Sequence, residues 1–188
     1  MPKLIDIDSL FAATINVFAE RGYDAATTQV IARQAAVSEV TLYRRYGSKA
    51  KLIEAALNHC LSQSPFGRVK ATGDVKADLT AIVLAYQETY RADGGAVLTL
   101  MTEMARHTEL RSAISVLMPN LKNAASIIAA HQHGGRIGPG DPLQKLGFLI
   151  APVLGAGIWA CTGVAMDAFK LDAPTIVDKF LNGHRPEG

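Results

Sequence analysis

The chain has 188 residues, 49% of them hydrophobic, and a formal net charge of +2, so it can bury a core without help from disulfides or a metal. Its two cysteines, Cys60 and Cys161, stand apart in apolar or helical-looking runs with no ligand spacing around them, which argues against a disulfide framework or a structural zinc. Met1 to Phe18 carries Asp6 and Asp8 and lacks both a basic leader and a small-residue cleavage site, so we expect a cytoplasmic protein.

Positive charge is concentrated near the front. Residues 1–70 hold nine Lys/Arg against six Asp/Glu, and residues 71–188 hold ten against eleven. Between Ser38 and Leu52 stand four cations, Arg44, Arg45, Lys49 and Lys51, with one anion, Glu39. Such a cluster is most simply a solvated helix face, and it points to nucleic acid only inside a suitable motif.

No strand-like alternation persists, and apolar residues recur at three and four positions, which predicts an all-α fold of about nine helices. Phe11, Thr14, Ile15 and Phe18 share one face of a first helix, about 9–21, with Asp8 as its N-cap and Gly22 as its stop. Thr27 or Thr28 caps a short second helix that ends near Ala35 and buries Val30, Ile31 and Ala35. Ser38 caps a third, about 39–46, which buries Val40 or Leu42 together with Tyr46 and stops at Gly47. Ser48 caps a fourth, whose apolar stripe is Ile53, Ala56, Leu57, Cys60 and Leu61. Ser62 to Gly73, rich in Ser, Pro and Gly, reads as a linker that divides the chain into residues 1–62 and 63–188. Helical patterns follow at about 75–92, 95–106, 109–132, 142–169 and 173–182. Glycines and a proline over 134–140 form a loop, and Asp141-Pro142 after it is an N-cap followed by proline in the first turn.

Two short helices joined only by Ala36 to Ser38 form the minimum unit that lays one helix in a DNA major groove while the other braces across the backbone. On the second of them Glu39, Thr41, Arg44 and Arg45 are polar. Arginine can donate two bonds to guanine and glutamate can accept from cytosine. Thr28, Tyr43 and Lys49 suit phosphates, which hydroxyls, ammonium groups and helix N-termini commonly contact.

The order Thr27-Thr28, Ile31-Ala32, Ala35, Val37-Ser38, Thr41-Leu42-Tyr43, Tyr46, Ser48-Lys49 and Leu52 resembles the TetR family of transcriptional regulators over about residues 9–57. Phe18-Ala19-Glu20-Arg21-Gly22-Tyr23 resembles the end of that family's first helix. The resemblance implies a three-helix helix-turn-helix DNA-binding domain in 1–62 and a larger effector-binding and dimerisation domain in 63–188. DNA contacts then fall to Thr28, Gln29, Ser38, Glu39, Thr41, Tyr43, Arg44, Arg45 and Lys49, with Tyr43 and Lys49 on phosphates. It implies a homodimeric regulator, in this family usually a repressor, on a near-palindromic operator, with subunits joined through about 142–169 and 173–182 and release by a small, apolar effector. A subset of Tyr86, Tyr90, Met101, Met104, Phe148 and Trp159 would line the effector site, the rest being core. Two departures stand out: Ala36 where the family often has the turn glycine, and Val40 where a small residue is usual. Ala36 is expected to stay right-handed, or to bear a cost of up to about 1–2 kcal/mol at positive φ. Val40 either meets a thymine methyl or joins the core.

Other signals read more plainly. Leu146 to Met166 carries no charge over 21 residues, but its glycines and Pro152 dilute its hydrophobicity, and a helix buried in a dimer core shows the same apolarity, so no membrane span is expected. Its small residues Gly155, Ala156, Gly157 and Ala160 would admit a partner's backbone. His131 and His133, two apart, point to different sides of a helix and hold no metal between them. The glycines of 134–140 lack a phosphate loop's Gly-Lys-Ser/Thr ending. No nucleophile-base set stands out, so neither enzyme activity nor a cofactor is expected. The rival reading is a helical small-molecule-binding or enzymatic protein that keeps the helix-turn-helix for packing only.

Overall fold

The computed structural model describes residues 6–161 and 172–183, and among them the fold is all-helical. Eight α-helices follow in chain order: α1 (Ile7–Ala25), α2 (Thr28–Gln34), α3 (Glu39–Tyr46), α4 (Lys49–Gln63), α5 (Val75–Glu103), α6 (Met118–His133), α7 (Pro142–Cys161) and α8 (Ala173–Gly183). The expected 142–169 helix is seen to Cys161, and residues 162–169 lie outside the described residues.

Helix ends follow local chemistry. Asp6 caps α1, accepting from the Asp8 and Ser9 amides and from the Ser9 hydroxyl. Asp8 is therefore not the cap; its carboxylate instead meets His59 Nε2 at 2.8 Å. Regular helix stops at Gly22 (φ 71°, ψ −178°), a conformation that suits glycine, and one further turn reaches Ala25. Asp141 accepts from the Gln144 amide ahead of Pro142, as the Asp-Pro pair predicts.

Two expected boundaries move. The patterns at 75–92 and 95–106 are one helix, α5, continuous through Gly94-Gly95. A Cβ at Gly95 would sit 3.7 Å from that of Ala19, so this glycine serves close packing, and burial of Ala96 and Leu100 offsets the roughly 1 kcal/mol per glycine that a helix interior loses. The front of the 109–132 pattern is a 3-10 stretch, Thr108–Leu117. Its buried residues Leu110, Ala113 and Val116 recur every third position, the period of that helix.

The chain divides into two compact units, one of residues 1–63 with 93–117, the other of 64–92 with 118–188. Residues 93–117 thus pack with the N-terminal helices. In the first unit Leu10, Phe18, Ile31, Leu42, Ile53 and Leu100 are fully buried in one apolar cluster, each contributing about 1.5–3 kcal/mol. In the second, Leu79, Ile82, Ile128, Leu146 and Leu149 form the core with Val177 of α8.

At the edge of that second core sits a buried polar node. Asp78, 0% exposed, accepts from the Thr72 amide and hydroxyl, the Gly73 amide and the ring of buried His131. Burial pushes its carboxyl up, but these hydrogen bonds outweigh that effect and hold it at about 2. His133 turns away and bonds the Ala129 carbonyl, so the two histidines do point apart. A Cβ on Gly157 would overlap the Tyr90 ring; that glycine makes room for a side chain of its own chain, whereas Gly155 faces open space.

Candidate nucleic-acid interface

The helix-turn-helix is assembled from caps at both of its short helices. The Thr27 hydroxyl accepts from the Val30 amide and starts α2. At the other end the Val37 amide reaches the Ala32 carbonyl and the Ala36 amide reaches the Arg33 carbonyl, the paired bonds of a Schellman ending. That ending requires a left-handed residue, and Ala36 supplies it at φ 53°. Of the two conformations open to Ala36 from the sequence, the structure takes the left-handed one, because the two capping bonds close only with the chain turned this way.

Ser38 then caps α3, its hydroxyl accepting from the Thr41 amide at 3.2 Å and pairing with the Thr41 hydroxyl at 2.6 Å. Leu42, 1% exposed, anchors α3 in the core, with Tyr46 packed beside it against Phe11. Gly47 ends the helix at φ 75°. Seating on Leu42 leaves Glu39, Val40, Tyr43, Arg44 and Arg45 exposed. Val40 is 77% exposed, which settles that it is not core.

Besides the paired Ser38 and Thr41, the expected contact residues fall into three groups. Thr28 and Glu39 meet across the two helices, the Thr28 hydroxyl donating to the carboxylate at 2.5 Å. Gln29, Tyr43, Arg44 and Arg45 stand exposed, Tyr43 at 63%, with Arg45 also lying 5.9 Å from the Tyr46 ring centre. Lys49 is engaged within the protein: its ammonium donates to the Tyr23 carbonyl at 2.5 Å and lies 3.8 Å from that residue's ring centre. Burial lowers its pKa, opposed by the charges of Asp24, Glu109 and Glu103.

Sequence reasoning did not find the residues behind that corner. Tyr23 is pushed up to about 12, first by burial and then by Glu109. Its ring packs 4.6 Å from His107, whose Nε2 lies 3.2 Å from Glu103 and 3.6 Å from Asp24. These partners are up to 86 positions apart (residue 109 minus residue 23), and no local pattern announces them. Arg21 and Arg33, also missed, line a cleft of about 320 Å³ with Val30 and Gln34.

The expected effector residues are dispersed. Met101 and Met104 belong to the first unit, with Met104 against its core and Met101 exposed. Tyr86 and Tyr90 lie 6.4 Å apart in the second unit, beside Phe66. Phe148 and Trp159 are 57% and 43% exposed on α7. Among the described residues no group of three or more His, Cys, Asp or Glu side chains is placed to hold a metal. Pro142–Ala160 is long and apolar enough to cross a membrane, a property shared by core helices.

Comparison with known proteins agrees with this geometry. Residues 10–56 match the family model of bacterial regulatory proteins, tetR family. An HTH-type transcriptional regulator of Mycobacterium bovis is 28% identical over 105 residues, 56% of this chain and 51% of that one, so the chain spans about half the length of the curated relatives it matches. Among solved structures, a Rhodococcus protein assigned to the TetR family superposes with a TM-score of 0.76 at 21% identity, covering 93% of this chain and 97% of that one. The fatty acid degradation regulator of Bacillus halodurans does so with a TM-score of 0.71 at 20% identity, covering 93% and 95%. These two share the fold. Residues 10–56, from α1 into α4, thus match the helix-turn-helix model of bacterial regulatory proteins, tetR family, and the chain as a whole shares the fold of these solved structures.

Proposed function

We propose that the chain is a transcriptional regulator that binds double-stranded DNA with α3 in the major groove, and that it acts as a repressor. The observation that carries this is α3 itself: a capped helix, seated by Leu42, that exposes a glutamate, a tyrosine and two arginines to solvent. Such a face matches base edges and phosphates, and Tyr43, Arg44 and Arg45 all stand exposed on it. Arg44, Arg45, Glu39 and Gln29 are the reading candidates, while Tyr43, Thr28, Ser38 and Thr41 position the helix on the backbone. Because the Lys49 ammonium would have to leave the Tyr23 carbonyl to reach a phosphate, we assign it to holding the α1–α4 corner.

One reading helix per chain favours a homodimer on a near-palindromic operator, with half-sites roughly one DNA turn, ~34 Å, or a multiple of it apart. The exposed apolar stripe of α7, with Phe148 and Trp159, supports subunit contact through α7 and α8. We therefore give those two aromatics to the interface and place the effector contacts around Tyr86 and Tyr90, whose aromatic surroundings favour a small apolar molecule. The name of the Bacillus halodurans relative, a fatty acid degradation regulator, points the same way.

Selection of bound DNA from a random pool, followed by titration of the enriched site, tests the proposal. Affinity should fall as salt rises, and Arg44→Ala and Arg45→Ala should each cost about 1–3 kcal/mol if they read bases. Binding that ignores salt, or that survives both changes intact, refutes it.

A further inference from the structure

The first turn of α3 carries three side chains between its cap and its anchor, and two of them are tethered. Glu39 is held by the Thr28 hydroxyl from α2, and the Thr41 hydroxyl is paired with Ser38. Val40 between them is the one without a polar group to tether, and at 77% exposure it is the most exposed of the chain's large hydrophobic residues described. The fold gives no reason for valine there. A β-branched residue is a poorer helix former than alanine, and a side chain this exposed adds nothing to the core.

The residue does have a reason in a groove. The N-terminal residues of a reading helix are the ones that meet base edges, and the major groove displays a single apolar group, the C5-methyl of thymine. Tyr43, 63% exposed one turn further on, flanks Val40 on the same side of the helix.

We propose that Val40 is a specificity-determining residue that reads a thymine methyl at a fixed position of each half-site. This rests on the DNA-binding reading above and deepens it: polar side chains set hydrogen bonds, while Val40 selects for one methyl.

The full-length chain is used to enrich DNA from a random pool, and each thymine of the enriched half-site is then replaced in turn by uracil, which lacks only that methyl. At one position the wild type should lose about fourfold in affinity per half-site, the worth of one buried methyl. Val40→Ala, which removes both γ-methyls from a side chain outside the core, should bind thymine and uracil there equally. A half-site with no invariant thymine, indifference of the wild type to every uracil, or discrimination that persists in Val40→Ala each overturns the assignment while leaving DNA binding in place. Failure to enrich any sequence overturns both.

Discussion

Replacing Ala36 by glycine should make the first unit more stable without touching a single contact. Ala36 sits at φ 53° in the Schellman ending of α2, a left-handed conformation that costs a residue with a Cβ about 1–2 kcal/mol. Glycine escapes that strain but adds backbone freedom to the unfolded chain, worth about 0.4–1 kcal/mol. The difference leaves a net gain of roughly 0.5–1 kcal/mol, or about 2–4 °C in Tm for each kcal/mol in a chain of this size. Gly47 provides the mirror experiment. It ends α3 at φ 75°, and nothing lies within 4 Å of where its Cβ would be. Gly47→Ala should therefore lose about the same amount through backbone strain alone, with no steric term. Denaturant unfolding followed by circular dichroism, with amide exchange of Ile31 and Ala32 to localise the effect, measures both; the single tryptophan, Trp159, lies in the other unit and is the wrong probe. Opposite signs are required. If Ala36→Gly destabilises, or if both changes shift stability the same way, the left-handed ending of α2 is not what closes the turn.

Leu42→Ala empties the anchor of α3 and should cost about 2–5 kcal/mol; DNA affinity should fall with it, and a loss under 1 kcal/mol in denaturant titration would mean that α3 is held by something else. Asp78 is held at about 2 against an ordinary 3.8, so it contributes stability above that ordinary value that is lost as pH falls from about 4 towards 2. The depression corresponds to about 2 kcal/mol, and the stability gap between wild type and Asp78→Asn should shrink by that amount from pH 5 to pH 2; a constant gap refutes the node. Lys49→Met should lower stability by about 1–2 kcal/mol through the lost bond to the Tyr23 carbonyl, while the salt dependence of DNA binding stays as it was. A slope smaller by about 1 would show instead that the ammonium reaches a phosphate.

What could be read from sequence follows how far each determinant reaches along the chain. Thr27, Ser38, Gly22 and Gly47 act within a few residues, so the limits of α2 and α3 were legible from their caps and stops. The cap of α1 was misplaced by two positions because Asp6 and Asp8 are chemically equivalent, and only the partner His59, at the far end of α4, separates their roles. Gly94-Gly95 reads locally as a break, and only the approach of Ala19 explains why the helix runs on. The same distance rule divides the interface residues. Tyr43, Arg44 and Arg45 take their exposure from the period of one short helix, so their role can be argued from that helix alone. Lys49 takes its role from Tyr23, Asp24, Glu103 and Glu109, on three other segments. A lysine at a helix start is attractive for phosphate in isolation, and here its ammonium bonds the Tyr23 carbonyl. Val40 is the converse case: with a core position excluded by its exposure, the fold leaves its side chain unexplained, and a groove that holds one kind of methyl accounts for it.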